Sequence, residues 1–277
     1  MTKDNSYCDN FAWQWQTFRK TQIDRFSQTS ESKQRFLAET GWTPEQLQHQ
    51  LVLDAGCGSG RFSALVSDWG AKVVAIDLAF GAAQACAQNL RELGLPVQVV
   101  QASLYALPFR PGTFDRIFSL GVLQHTPDPR LAIQALPPLL KPNGQIALWI
   151  YEKRWTRYFM LRNYLRVLTR RLPLKIVWRF CWILVALFFP LTLVISRLPI
   201  LHKLLPLAPI AARHYWGRLT VRQQWEWTLL DTIDSYSAVY ENNQSEPEVI
   251  ETLRACGLVQ IRRNGARGMA IIGHRAR

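Results

Sequence analysis

Glycines at alternate positions, bracketed by two acids, make the segment of this sequence best suited to chemistry. Leu51–Phe62 reads LVLDAGCGSGRF, and Val73–Asp77 reads VVAID. An apolar run entering Asp54 and then Gly56, Gly58 and Gly60 predicts a buried parallel strand, a tight turn and a helix. Side chains are missing at the turn where a backbone must approach a ligand closely. Asp77, at the end of the next strand, is placed to accept hydrogen bonds from two ribose hydroxyls. A dinucleotide fingerprint would carry a third glycine where Arg61 stands. Elsewhere, four side chains are candidates to take a proton from an acceptor: His125, Asp231, Asp234 and Tyr236. His125 follows a strand, at the edge of a sheet where ligands bind. Asp231 and Asp234 are three residues apart and would share a helix face.

These residues need a sheet to position them. Val97–Ser103 reads as a third strand and Phe114–Leu120 as a fourth, the latter followed by Gly121-Val122-Leu123-Gln124-His125. An apolar helix comes next. Leu140-Lys141-Pro142-Asn143-Gly144 then reads as a turn into a strand over Gln145–Tyr151. Near the C-terminus Ser245-Glu246-Pro247-Glu248 is a capping box with proline in the first turn, and Gly257 follows as a stop signal. They frame a helix over about 246–256. Leu258–Arg263 and Met269–Arg275 alternate as two strands joined near Asn264-Gly265. The fold expected is α/β, with strands and helices in alternation and a terminal hairpin.

The pattern D-x-G-x-G-x-G at 54–60 resembles motif I of the class I S-adenosylmethionine-dependent methyltransferases. The downstream order, LPF at Leu107–Phe109, FD at Phe114-Asp115, VLQH at Val122–His125 and LKPNG at Leu140–Gly144, is similar to the quinone-biosynthesis members. The resemblance covers about residues 45–152. An acid near the turn suits a sulfonium ligand with an ammonium group better than a pyrophosphate. The resemblance implies a Rossmann-like seven-stranded mixed sheet with a helical insertion after the fifth strand. It implies S-adenosylmethionine as cofactor, held by Asp54, Gly56, Cys57, Gly58, Gly60, Asp77, Leu78, Ser103, Leu104 and Gly121. Among these, Leu104 would help with the adenine through its backbone, and Gly121 would lie near the sulfonium. Ser103 departs from the pattern, which has an acid there; a hydroxyl accepts a hydrogen bond more weakly than a carboxylate. Similar methyltransferases also carry aromatic leading helices that cover the cofactor, as Phe11, Trp13, Trp15 and Phe18 would here. They carry a segment like the one holding Asp231, Asp234, Tyr236 and Tyr240, which would approach the acceptor.

The net charge of +13 is concentrated in one block. Residues 153–222 hold 14 of the 33 Lys and Arg and none of the 20 Asp and Glu, so the remainder is close to neutral. The same block contains the most apolar run, Phe180–Ile195, whose 16 residues fall short of the ~20 of a spanning helix. Pro190 is expected to break or kink it. Upstream, Tyr158, Leu161, Leu165, Leu168 and Leu172 share a helical face beside Arg162, Arg166 and Arg170, and Pro173 should end that helix. Basic and apolar character together fit a membrane surface; an active-site cap with a tunnel fits the apolar run. Nucleic acid would favour polar residues and exposed aromatics among the bases.

The five cysteines, at 8, 57, 86, 181 and 256, are scattered without a C-x-x-C pair. That pattern argues against a disulfide framework or a metal site and for a reducing compartment. The expected divisions are an N-terminal cap over 1–50, a cofactor core over 51–152, the insertion over 153–222 and a completion of the core over 223–277. The function expected is methyl transfer to a hydrophobic or lipid-linked acceptor by a cytoplasmic protein, peripheral on the membrane. The alternatives are a soluble small-molecule methyltransferase with the insertion as a lid, and a non-catalytic, membrane-associated protein that binds the cofactor.

Overall fold

A computed structural model describes residues 6–155, 160–198, 200–212, 214–265 and 268–276. Two compact units emerge: Met1–Lys153 with Tyr240–Arg277, and Arg154–Val239.

The first unit is built on seven strands: β1 Leu51–Ala55, β2 Lys72–Asp77, β3 Gln98–Gln101, β4 Phe114–Leu120, β5 Leu140–Ile150, β6 Leu258–Asn264 and β7 Met269–Arg275. Their spatial order is β3-β2-β1-β4-β5-β7-β6. The first five run parallel, and β7 pairs antiparallel with both β5 and β6. This is the seven-stranded mixed sheet expected. β1 lies between β2 and β4, which explains its unbroken apolar run, since both faces and both edges are covered. Consecutive residues go to opposite cores, as strand geometry requires. Leu53, Ile117, Leu148 and Ile271 pack in one cluster, and Val52, Phe118, Ala147 and Ile272 in the other.

Helices flank the sheet. α1 Asp9–Thr17, α2 Asp24–Ser27, α3 Glu31–Thr40 and α4 Pro44–Leu47 precede β1. α5 Arg61–Asp68, α6 Phe80–Glu92 and α7 Pro129–Gln134 follow β1, β2 and β4. The strand order turns back at β1, so ligands are expected at the carboxyl ends of β1 and β4, where the glycine-rich turn and the Gly121–His125 segment lie. Two local expectations change. The segment 140–144 is part of β5: Phe114 pairs with Leu140 and Arg116 with Gln145, so the extra residues bulge, with Asn143 at φ 62°. The third strand is shorter than expected, and Ser103 lies beyond it in an isolated bridge with Ala106.

The second unit contains α8 Leu161–Thr169, α9 Leu174–Ile195 and α10 Val221–Ser237. Pro173 caps α9, so the stop expected there is present. Pro190 does not end the helix; α9 continues through it to 22 residues. A proline inside a helix costs about 3 kcal/mol. Against that stands a buried stripe of Val177, Cys181, Val185, Phe189 and Thr192. Phe189 meets Trp225 of α10 at 5.3 Å, and Phe180 meets Tyr236 at 5.5 Å. Pro190 itself is exposed, off that stripe. The positions of Tyr158 and Pro199 lie outside the described residues. The last helix, α11 Glu246–Ala255, belongs to the first unit and starts on the predicted box: Ser245 N donates to Glu248 Oε2 at 2.7 Å.

Candidate functional site

The turn after β1 is held by backbone bonds. The amides of Gly56 and Cys57 both donate to Ile76 O at 2.8 Å. Gly58 N donates to Asp77 Oδ2 and Ala79 N to Asp77 Oδ1, each at 2.9 Å. The Asp77 carboxylate is thereby clamped beside the turn, with lone pairs left over on both oxygens. Gly56 has φ 96°, and a Cβ there would lie 2.4 Å from Val122. Gly56→Ala is therefore expected to destabilise the fold by about 2–4 kcal/mol, combining strain and overpacking. Denaturant midpoints check this; an unchanged midpoint would refute the packing described.

Asp54 is buried and accepts a hydrogen bond from Ser63 Oγ at 2.6 Å. Burial pushes its carboxyl up to about 7, and burial pushes Asp77 up to about 6. Both acids hold a proton more tightly folded than unfolded. Their contribution to stability is full below the unfolded value of about 4 and is lost as pH rises through 6 and 7. The Asp54→Asn protein should therefore gain thermal stability relative to the parent as pH goes from 5 to 8. A constant difference between the two across that range would refute this.

The leading helices pack on the turn. A Cβ on Gly58 would meet the Trp15 ring at 2.9 Å. Gln16 Nε2 donates to Gly81 O at 2.8 Å, and Asn89 Nδ2 to both Ser59 O and Arg19 O at 2.8 Å. Arg61 is buried; its Nε donates to Ser32 Oγ at 2.8 Å and its Nη1 to Gln22 Oε1 at 3.2 Å. The residue that disqualifies a dinucleotide fingerprint thus anchors the segments before β1. Its only sequence signal was a cation opening an otherwise apolar helix.

The remaining positions are distributed as follows. Leu78 O accepts from Gln101 Nε2 at 3.0 Å, and Ser103 Oγ accepts from Tyr105 N at 3.2 Å. Leu104 is buried. Gly121, at φ 81°, donates its N–H to Trp149 O at 2.9 Å. A Cβ on Gly121 would be 3.6 Å from both Arg35 Nη2 and the Trp149 ring. Arg35 lies over Trp149, 4.7 Å from its centroid, and its Nε donates to Glu39 at 2.7 Å. Sequence reading places Arg35 only in the leading segment, before Thr40-Gly41-Trp42, and not beside Gly121, because nothing local ties α3 to the end of β4.

His125 Nδ1 lies 3.0 Å from Tyr240 O. A carbonyl only accepts, so the geometry assigns the proton to Nδ1 and, in the neutral ring, the lone pair to Nε2. The imidazole packs against Phe11 at 5.1 Å and Tyr151 at 5.6 Å. Tyr151 meets Trp149 at 5.4 Å, and Tyr240 meets Tyr7 at 5.2 Å. An aromatic wall therefore surrounds His125. Asp231, Asp234 and Tyr236 lie on α10 in the second unit. Tyr236 is fully buried, and its hydroxyl donates to Pro209 O at 2.7 Å. Burial raises its pKa. Asp231 and Asp234 are half-buried.

The cradle fits a nucleoside that carries a cationic amino-acid chain. Asp77 keeps acceptor capacity for two hydroxyls. Ser59 Oγ and Gln14 Oε1, both buried at the turn and the helix over it, make no hydrogen bond among the described residues. Buried polar groups normally have partners, and a polar ligand would supply them.

Fold and cradle together match what the resemblance to S-adenosylmethionine-dependent methyltransferases implies. Residues 53–148 match the family described as "Methyltransferase domain", so the chain carries that domain. A ubiquinone biosynthesis O-methyltransferase of Xanthomonas euvesicatoria is 39% identical over 98 residues, covering 35% of this chain and 41% of the relative. One of Azotobacter vinelandii is 39% identical over 110 residues, covering 38% and 47%. The chain thus spans less than half the length of these curated relatives. A chain of the solved complex between a Haloferax volcanii methyltransferase activator and a methyltransferase superposes with a TM-score of 0.55 at 13% identity, covering 99% of this chain and 98% of that one. That likeness is one of fold.

Proposed function

We propose that this protein methylates a hydroxyl of a hydrophobic, quinone-like or lipid-linked acceptor at the cytoplasmic membrane surface, using S-adenosylmethionine. The observation that carries the reading is His125, oriented by Tyr240 O and enclosed by aromatic rings, at the same sheet edge as the glycine-rich turn. Names of the curated relatives support an oxygen acceptor on a hydrophobic ring.

When bound, S-adenosylmethionine supplies an electrophilic methyl on a sulfonium. Asp77 would accept from the two ribose hydroxyls with the lone pairs left by Gly58 N and Ala79 N. Gly56, Cys57, Gly58 and Gly60 let the backbone approach the amino-acid chain, and Asp54 supplies negative charge beside it when ionised. Leu78, Ser103 and Leu104 would border the adenine. Arg35, which pairs with Glu39, would add positive charge near Gly121 for the carboxylate of the amino-acid chain. The rings of Trp149 and Tyr151 would exclude water from the site. Of the four candidate bases, His125 is the one proposed: its Nε2 would take the proton of the acceptor hydroxyl.

Calorimetric titration with S-adenosylmethionine and with NAD tests the cofactor. Transfer of labelled methyl to a membrane lipid extract tests the acceptor. Binding of NAD instead would overturn the reading, as would methylation confined to water-soluble acceptors, which would favour the insertion as a lid.

A further inference from the structure

The membrane-surface reading leaves open how the chain would meet a bilayer, and the second unit carries an answer. Around α9, the buried stripe of Val177, Cys181, Val185, Phe189 and Thr192 is turned toward α10. Ile176, Ile183, Leu187, Leu191 and Val194 recur at helical spacing on the opposite side, and all are exposed, Leu187 by 67% and Val194 by 61%. A contiguous apolar stripe of this kind marks an interaction surface. Cations stand at both ends of it. Arg170, Arg171, Lys175 and Arg179 are exposed at the start, and Arg197 and Lys203 beyond the end. No acid occurs anywhere in 153–222.

We propose that this face of α9 docks in the plane of a bilayer rich in anionic lipid, with the 176–194 stripe in the acyl boundary and the flanking cations on the headgroups. The proposal rests on the membrane-surface reading and names the face and the lipid charge. Charge decides the occupant. A second copy would bring one unneutralised cationic face against another, whereas an anionic leaflet neutralises it. Orientation follows from α10. α9 is the one helix among the described residues long and apolar enough to cross a membrane. Yet α10 packs along its other side, with Cys181 Sγ 3.9 Å from Thr232 O, and α10 carries Glu226, Asp231 and Asp234. A spanning α9 would draw those carboxylates toward hydrocarbon, which is costly. An in-plane α9 buries only its apolar stripe.

The test is flotation of the full chain with vesicles of phosphatidylcholine, with or without phosphatidylglycerol. Binding is expected only with the anionic lipid, and it should be released by high salt. Leu187→Glu with Leu191→Glu should weaken it more than tenfold. Lys175→Glu with Arg179→Glu, which leaves the apolar stripe intact, should weaken it by at least about fivefold per cation. Calorimetric affinity for S-adenosylmethionine, unchanged in both variants, shows that the cofactor unit is folded. Equal binding to neutral vesicles, no binding to either, or resistance to alkaline extraction would overturn the proposal. So would a parent oligomer in solution that the Leu187→Glu pair dissociates. Methyl transfer to a detergent-dispersed lipid extract separates the two readings. Transfer without vesicle binding sinks the docking face alone, and vesicle binding without transfer sinks the proposed reaction alone.

Discussion

Asp77→Ala is expected to weaken S-adenosylmethionine binding by about 10²–10⁴-fold, the loss of two hydrogen bonds to a charged acceptor. The carboxylate has two tasks. It would meet the ribose, and it already holds Gly58 N and Ala79 N at 2.9 Å. Removing it therefore costs contacts and also loosens the turn that the glycines shape. Asp77→Asn separates these effects. Its amide oxygen can still accept one backbone N–H, so the turn should stay closer to its parent form while the charge is gone. Because burial raises Asp77 to about 6, binding to the parent should tighten as pH rises toward 7, with proton release when the ionised form is selected. Calorimetry in buffers of different ionisation enthalpy reads both quantities. Unchanged affinity in Asp77→Ala would show that the ribose lies elsewhere.

His125→Asn is expected to lower kcat by about 10²–10⁴-fold, the usual contribution of a positioned general base. Cofactor affinity should stay within about twofold, because the hydrogen bond and ring contacts of His125 run to Tyr240, Phe11 and Tyr151, whereas Asp77 is held by Gly58 N and Ala79 N. A merely structural histidine would lose stability in the variant and leave kcat close to the parent's at a temperature where both are folded. Full activity would show that the acceptor needs no base, as an amine would not, and would redirect the search for the transferred position.

The glycine-rich turn and Asp77 were legible from sequence because their constraint is local. Positive φ at Gly56, Gly58 and Gly60, an apolar strand before them and an acid at the end of the next strand are all written within 27 consecutive residues, 51–77. The alternation of strands and helices along the chain was legible for a related reason, since both periods are local; the seven-stranded mixed sheet came from the resemblance, and its spatial order from the structure. Local rules failed where packing outweighs them. Proline propensity predicted an interruption at 190, but the buried stripe of α9 carries the helix past it. The turn read at 140–144 is a bulge inside β5, because Phe114 and Arg116 offer edges for pairing on either side of it.

By itself the sequence determined the α/β class, the glycine-rich turn and the concentration of positive charge between 153 and 222, since each depends on residue type and short spacing. Only the tertiary structure decided what surrounds His125. Tyr7, Phe11, Trp149, Tyr151 and Tyr240 come from segments up to more than two hundred residues apart, and no period or motif links them. It also decided that Arg61 anchors the leading helices, that Arg35 reaches Gly121, and that one side of α9 is covered while the other is exposed. Contacts of this kind arise from chain closure over long separations. Their information lies in mutual fit among distant side chains, which no local pattern encodes.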